Sequence, residues 1–155
     1  MADLTVTITE SVTLNGAARG SSNALTIAGV DDIYHRIITV PSGVDTTLVN
    51  FHATVGASDS SLDVENVKYI RCTNLDSSNP INLSLQVDAG EDDSAADASV
   101  TLLLEAGKSF VMGAPSDGIA VDDDAATILT TLNNVESIIA DSVSAAVQME
   151  VFVAS

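Results

Sequence analysis

Strict alternation of apolar and polar residues is the feature that most restricts what this chain can become. In INLSLQVD, residues 81–88, Ile81, Leu83, Leu85 and Val87 share one parity, and Asn82, Ser84 and Gln86 share the other. The N-terminal LTVTITESVTL behaves alike, with Leu4, Val6, Ile8, Val12 and Leu14 on one parity and Thr5, Thr7, Thr9, Ser11 and Thr13 on the other. The closing AAVQMEVFVAS sets Val147, Met149, Val151 and Val153 on a common face. A period of two suits a strand with one buried and one wetted face, whereas a helix needs a period of 3.6. Val, Ile and Thr fill these runs and favour strands, while Asn, Asp, Ser and Gly between them favour turns.

The intervening segments fit this frame. ALTIAGV and IYHRIITV read as strands, the second ending at Val40 before Pro41. VDTTLVNFHATVG places Val49, Phe51, Ala53 and Val55 on one face, and Thr46, Leu48, Asn50 and His52 on the other. In VKYIRCTN, Ile70 and Cys72 share a face opposite Tyr69, Arg71 and Thr73. VTLLLEAGKSFVM reads as a hairpin closed by Ala-Gly. NGAARGSSN and NLDSSNP read as loops, and Ile119 to Val121 as a short strand. Glu10 interrupts the apolar parity, which predicts a bulge, a sheet edge or a strand break there. Ala125, Ile128, Leu129 and Leu132 have helical spacing with Asp122–Asp124 at a capping position, yet TILTT is rich in β-branched residues, so helix and extended chain both stand. The expected fold is an all-β antiparallel sandwich, jelly-roll-like, of about eight to ten short strands with at most one short helix. One domain over residues 1–155 is expected, with residues 1–14 as an N-terminal arm or edge strand.

Charge narrows the partners. Twenty-two acidic residues face five basic ones, a formal net charge of −17. Such a surface repels phosphate backbones and anionic lipid, so neither nucleic acid nor membrane is an expected partner. No apolar run approaches the roughly 20 residues of a spanning helix, and MADLTVTITE lacks a signal peptide's basic and apolar regions, which predicts synthesis in a cytosol-like compartment.

Chemistry-bearing residues are few. Cys72 is the one cysteine; its parity with Ile70 predicts a buried, inert thiol. His35 and His52 lie in strand-like runs without ligand spacing. The acidic loops around Asp92, Asp93 and Asp97 do not reproduce a calcium-loop motif. The phosphate loop, the dinucleotide turn and the nucleophile elbow are absent from the sequence. No catalytic, cofactor or metal residue is assigned, and a non-enzymatic protein is expected.

YIRCTNLDSSNPINLSLQVD followed by LLLEAGKSFVMGAP resembles a recurring pattern in small virion structural proteins of tailed bacteriophages, in which a strand ends in a T-N-L-D-like turn, the next strand crosses the sheet, and an L-x-A-G-[KE]-like hairpin turn leads into the following strand. The C-terminal ILTTLNNVESIIADSVSAAVQMEVFVAS is similar to the ends of such proteins. The resemblance spans roughly residues 67–155 and implies a capsid decoration (cement) protein, commonly a sandwich that forms homotrimers on the major capsid protein, located in the virion. A neck, tail or fibre component is the alternative within this class. A calcium- or carbohydrate-binding lectin-like module is the alternative outside it. The residues expected at interfaces are Leu4, Val6, Ile8, Val12 and Leu14, because chain termini are mobile unless tied down, together with Lys68 and Arg71, which would meet acidic groups.

Overall fold

The computed structural model of the chain describes residues 1–52, 61–88, 98–122 and 128–155. It divides into two compact units, residues 1–32 and residues 33–155. Each is all-β, and the described residues contain no helix.

The first unit is one long antiparallel hairpin. β1 (Ala2–Thr9) pairs with β4 (Ser22–Val30), and β2 (Val12–Leu14) with β3 (Ala17–Arg19). NGAARGSSN is therefore not a loop. Only Asn15 and Gly16 turn, both at positive φ (54° and 76°), the conformation of a two-residue Asn-Gly hairpin, and strand resumes at Ala17. Of the outcomes expected at Glu10, a strand break is found. Thr9 opposes Ser22 and Val12 opposes Arg19, so the count of residues on the two limbs matches across the break and no register is lost. Glu10 N–H donates to the Ser21 carbonyl at 2.8 Å. The chain can close there because residue 20 is glycine: a Cβ on Gly20 would lie 2.2 Å from the Glu10 carbonyl oxygen.

The second unit is a β-sandwich. One sheet has the order β10 (Ala98–Leu104), β9 (Ile81–Val87), β12 (Val135–Asp141), β6 (Thr46–His52), β7 (Leu62–Asp63). The other has the order β11 (Ser109–Met112), β8 (Tyr69–Asn74), β13 (Val147–Ala154), β5 (Ile33–Val40). All pairings are antiparallel except β6 with the two-residue β7. The described residues thus hold thirteen strands rather than eight to ten; the hairpin break, its tip and the short β7 and β11 account for the excess. The alternation of β9 and β13 is realised: Ile81, Leu83, Leu85 and Val87 are buried, as are Val147, Met149, Val151 and Val153, and all but Val87 belong to one apolar cluster.

Alternation fails where β6 bulges. Val49 opposes Ile138 while Thr47 opposes Ile139, so Leu48 is an extra residue. Leu48 and Val49 are consequently both buried, although parity assigns Leu48 to the polar face. The Tyr34 hydroxyl donates to the Leu48 carbonyl at 3.2 Å. Ala53, Val55 and the acidic segment with Asp92, Asp93 and Asp97 lie outside the described residues. Of the ambiguous 125–132 stretch, residues 128–132 are irregular, not helical, and Ile119 makes an isolated bridge to Asn133 in place of a strand.

VTLLLEAGKSFVM is not a hairpin either. β10 pairs with β9 in one sheet and β11 with β8 in the other, so Glu105–Lys108 carries the chain from sheet to sheet. The connection is held by β8: Asn74 N–H donates to the Lys108 carbonyl at 3.0 Å, and Gly107 N–H to the Asn74 carbonyl at 3.1 Å. TNLDSSNP is the matching crossing between β8 and β9. Its hub is the fully buried Asn74. Asn74 Nδ2 donates to the carbonyls of Asn79 (2.9 Å) and Leu104 (3.2 Å), and Oδ1 accepts from Asp76 N–H (2.9 Å). Asp76 Oδ1 in turn accepts from the N–H groups of Ser78 and Asn79, each at 2.8 Å, and these bonds lower the Asp76 pKa.

Candidate functional site

The hairpin unit carries the clearest surface that a folded body of its own does not use. Residues directly opposite in an antiparallel pair project to the same side. Leu4 faces Ile27 and Val6 faces Leu25, which makes one apolar side; Thr5 faces Thr26, Thr7 faces Ala24 and Thr9 faces Ser22 on the other. Leu4, Val6 and Ile27 are half-buried. Ile8 and Leu25 are 53% and 59% exposed, and beyond the break Val12 and Leu14 are 55% and 59% exposed. At the break itself the apolar stripe gives way to a polar patch, where Ser21 Oγ donates to Glu10 Oε2 at 2.8 Å.

The five apolar residues expected at an interface are therefore all on this hairpin, in one limb. The other limb contributes Leu25 and Ile27, which the sequence reading missed. The signal was present: Asn-Gly at 15–16, flanked by alternating runs, sets a two-residue turn and hence the pairing of Val6 with Leu25.

Lys68 and Arg71 lie in the sandwich unit, not in the hairpin. Arg71 is engaged on the outer side of the four-stranded sheet. Its Nη1 donates to Glu150 Oε2 at 2.7 Å and to the Thr73 hydroxyl, while His35 Nε2 sits 2.8 Å from Glu150 Oε1. Thr73 and Ser109 share a hydrogen bond of 2.8 Å. Both carboxylate oxygens of Glu150 are thus occupied, and the bonds from Arg71 and then His35 hold its pKa below the usual carboxylate value. Phe152 packs beside this network, 5.8 Å from the His35 ring and 6.2 Å from the Tyr69 ring. Lys68 is exposed, and its N–H donates to the Ala154 carbonyl at 2.8 Å.

Cys72 is fully buried in the core, and burial pushes its thiol pKa up to about 12 against the lowering effect of the Arg71 charge. At that value the thiolate, the nucleophilic form, is scarce at neutral pH. Among the described residues no three His, Cys, Asp or Glu side chains converge as a metal site would require.

Comparison with protein-family models, with curated proteins and with solved structures gives no match to this chain.

Proposed function

We propose that this protein is a non-enzymatic virion structural protein of the capsid-decorating type, which associates with further copies of itself through its N-terminal hairpin. The observation that carries the reading is the exposed apolar side of that hairpin. A two-stranded ribbon is at best marginally stable in water without something against its apolar face. Like copies of a −17 chain repel one another. Residues 4–30 hold only Glu10 and Arg19 among charged residues, so contact through the hairpin is where association meets least repulsion.

Size argues for more than one neighbour. At about 3.3 Å per residue and 4.8 Å between strands, each face of the ribbon, tip included, offers roughly 400 Å². Two such faces together reach about 800 Å², below the roughly 1,200 Å² at which specific interfaces become stable. A closed ring in which each hairpin meets two neighbours raises the total, and the trimer is the smallest such ring. The virion setting rests on the T-N-L-D and L-x-A-G-K turns and their likeness to phage structural proteins.

Light scattering on the full chain over a range of concentrations tests the association. The native protein is expected to be a trimer and the double variant Ile8→Asp, Leu25→Asp a folded monomer. A native chain that stays monomeric, or a double variant that assembles unchanged, would overturn the hairpin reading. Binding to capsids tests the setting: saturation by many copies over the shell supports decoration, a single ring at one vertex points to the neck or tail, and no binding removes the virion reading. Removing residues 1–32 is a cleaner deletion than removing 1–14, which would leave β4 without its partner.

A further inference from the structure

The outer face of the five-stranded sheet holds a depression of about 370 Å³, built wholly from residues of the sandwich unit. β9 runs along it with Asn82, Ser84 and Gln86. β10 adds Thr101 opposite Ser84 and Ser99 opposite Gln86, and β12 adds Asp141 opposite Asn82. Asp45 closes one end, and Ile139 and Ala140 are the only apolar residues that line it. We propose that this groove is a binding site for a neutral carbohydrate.

The chemistry of the lining selects the ligand class. With so little apolar lining, a hydrophobic ligand gains almost nothing here. The two carboxylates and the −17 charge reject anions. Two carboxylates also fall short of a cation cage, and the described residues contain no larger ligand cluster. What remains is a grid of hydroxyls and amides, about 4.8 Å apart across strands and about 6.7 Å apart along them, the scale of a single sugar ring.

Donors and acceptors are both on offer. Ser84 Oγ accepts from Gln86 Nε2 at 2.9 Å and from Thr101 Oγ1 at 3.1 Å, which fills its lone pairs and leaves its proton to donate. Asp141 Oδ1 is shut off from solvent and accepts no hydrogen bond. The acceptors that line the groove are the carboxylates of Asp45 and Asp141 and the side-chain carbonyls of Asn82 and Gln86. Because no aromatic ring lines the groove to stack on a sugar, affinity rests on a few hydrogen bonds exchanged with water, and dissociation constants in the millimolar range follow. The groove does not depend on association through the hairpin, although a ring of copies would multiply weak sites.

Amide NMR on the full chain, titrated with the methyl glycosides of mannose, glucose, galactose and N-acetylglucosamine, tests the site. At least one sugar is expected to give saturable shifts centred on Asn82–Gln86, Thr101 and Asp141. The double variant Ser84→Ala, Thr101→Val, with its spectrum otherwise native, should bind about tenfold more weakly, as befits one to two lost hydrogen bonds. Asp141→Asn changes a carboxylate that lines the groove and is a second variant expected to weaken binding. The proposal is overturned if no glycoside gives saturable shifts, if the shifts map elsewhere, or if both variants bind as the native chain does. It is equally overturned if calcium chloride or spermidine shifts these amides and no sugar does.

Discussion

Replacing Asn74 by alanine is the sharpest probe of how the two sheets are joined. The side chain is fully buried and makes three hydrogen bonds, to the carbonyls of Asn79 and Leu104 and from the N–H of Asp76. Alanine removes every one of them, the bond to the Leu104 carbonyl from a buried setting. An unsatisfied buried group costs about 1–3 kcal/mol. Part of this crossing can reach water, so a total of about 3–5 kcal/mol is expected rather than the upper sum. With a urea slope of about 2 kcal/mol per molar, the unfolding midpoint falls by about 2 M. Urea titration followed by circular dichroism measures this, and Ser77→Ala on the exposed side of the same turn is the control, expected to stay within about 0.5 kcal/mol. A midpoint that moves by less than about 0.5 M at unchanged slope would refute the assignment of Asn74 as the hub. The same variant should loosen both crossings together, because the Asn74 side chain reaches Asp76 and Asn79 in one crossing and the Leu104 carbonyl at the start of the other.

Three further outcomes follow from the geometry. Glu150→Gln should cost stability at neutral pH, and the gap to the native chain should close as the solution is acidified. The folded pKa of Glu150 is depressed, so its contribution is full above the unfolded value near 4.3 and is lost as pH falls through the folded value; a gap that persists unchanged at acid pH would count against the Arg71 and His35 bonds as its source. Cys72 should resist maleimide in the folded protein and react at the rate at which the core opens, which mass spectrometry can follow; rapid native labelling would contradict its burial. Leu83→Ala should cost about 2–5 kcal/mol in urea unfolding, since Leu83 is fully buried between the sheets, and a smaller loss would mean that the core collapses around the missing atoms.

The hairpin shows how far local pattern reaches. Alternation from Leu4 to Ile8 was enough to place three side chains on one side, because strand parity is a property of the backbone and needs no partner. The same logic put Ile70 and Cys72 inward and aligned β9 and β13. It failed at Leu48, where a bulge inserted by pairing with β12 buries a residue that parity sends outward. It failed again at Glu105–Lys108, whose turn chemistry is that of a hairpin. The fate of that turn is set by Asn74, some thirty residues away in sequence, which captures it from the neighbouring strand.

Sequence by itself determined that this chain is all-β, which residues of its regular strands face the core, and that its cysteine is a packing group. These follow from period, side-chain shape and burial preference, all encoded within a few residues of one another. Tertiary structure alone decided which strands share a sheet, that Arg71 and His35 are joined by Glu150, and that hydroxyls of β9 and β10 and a carboxylate of β12 line one groove. Those facts depend on pairing between segments far apart in the chain, and periodicity carries no information about which strand lies beside which.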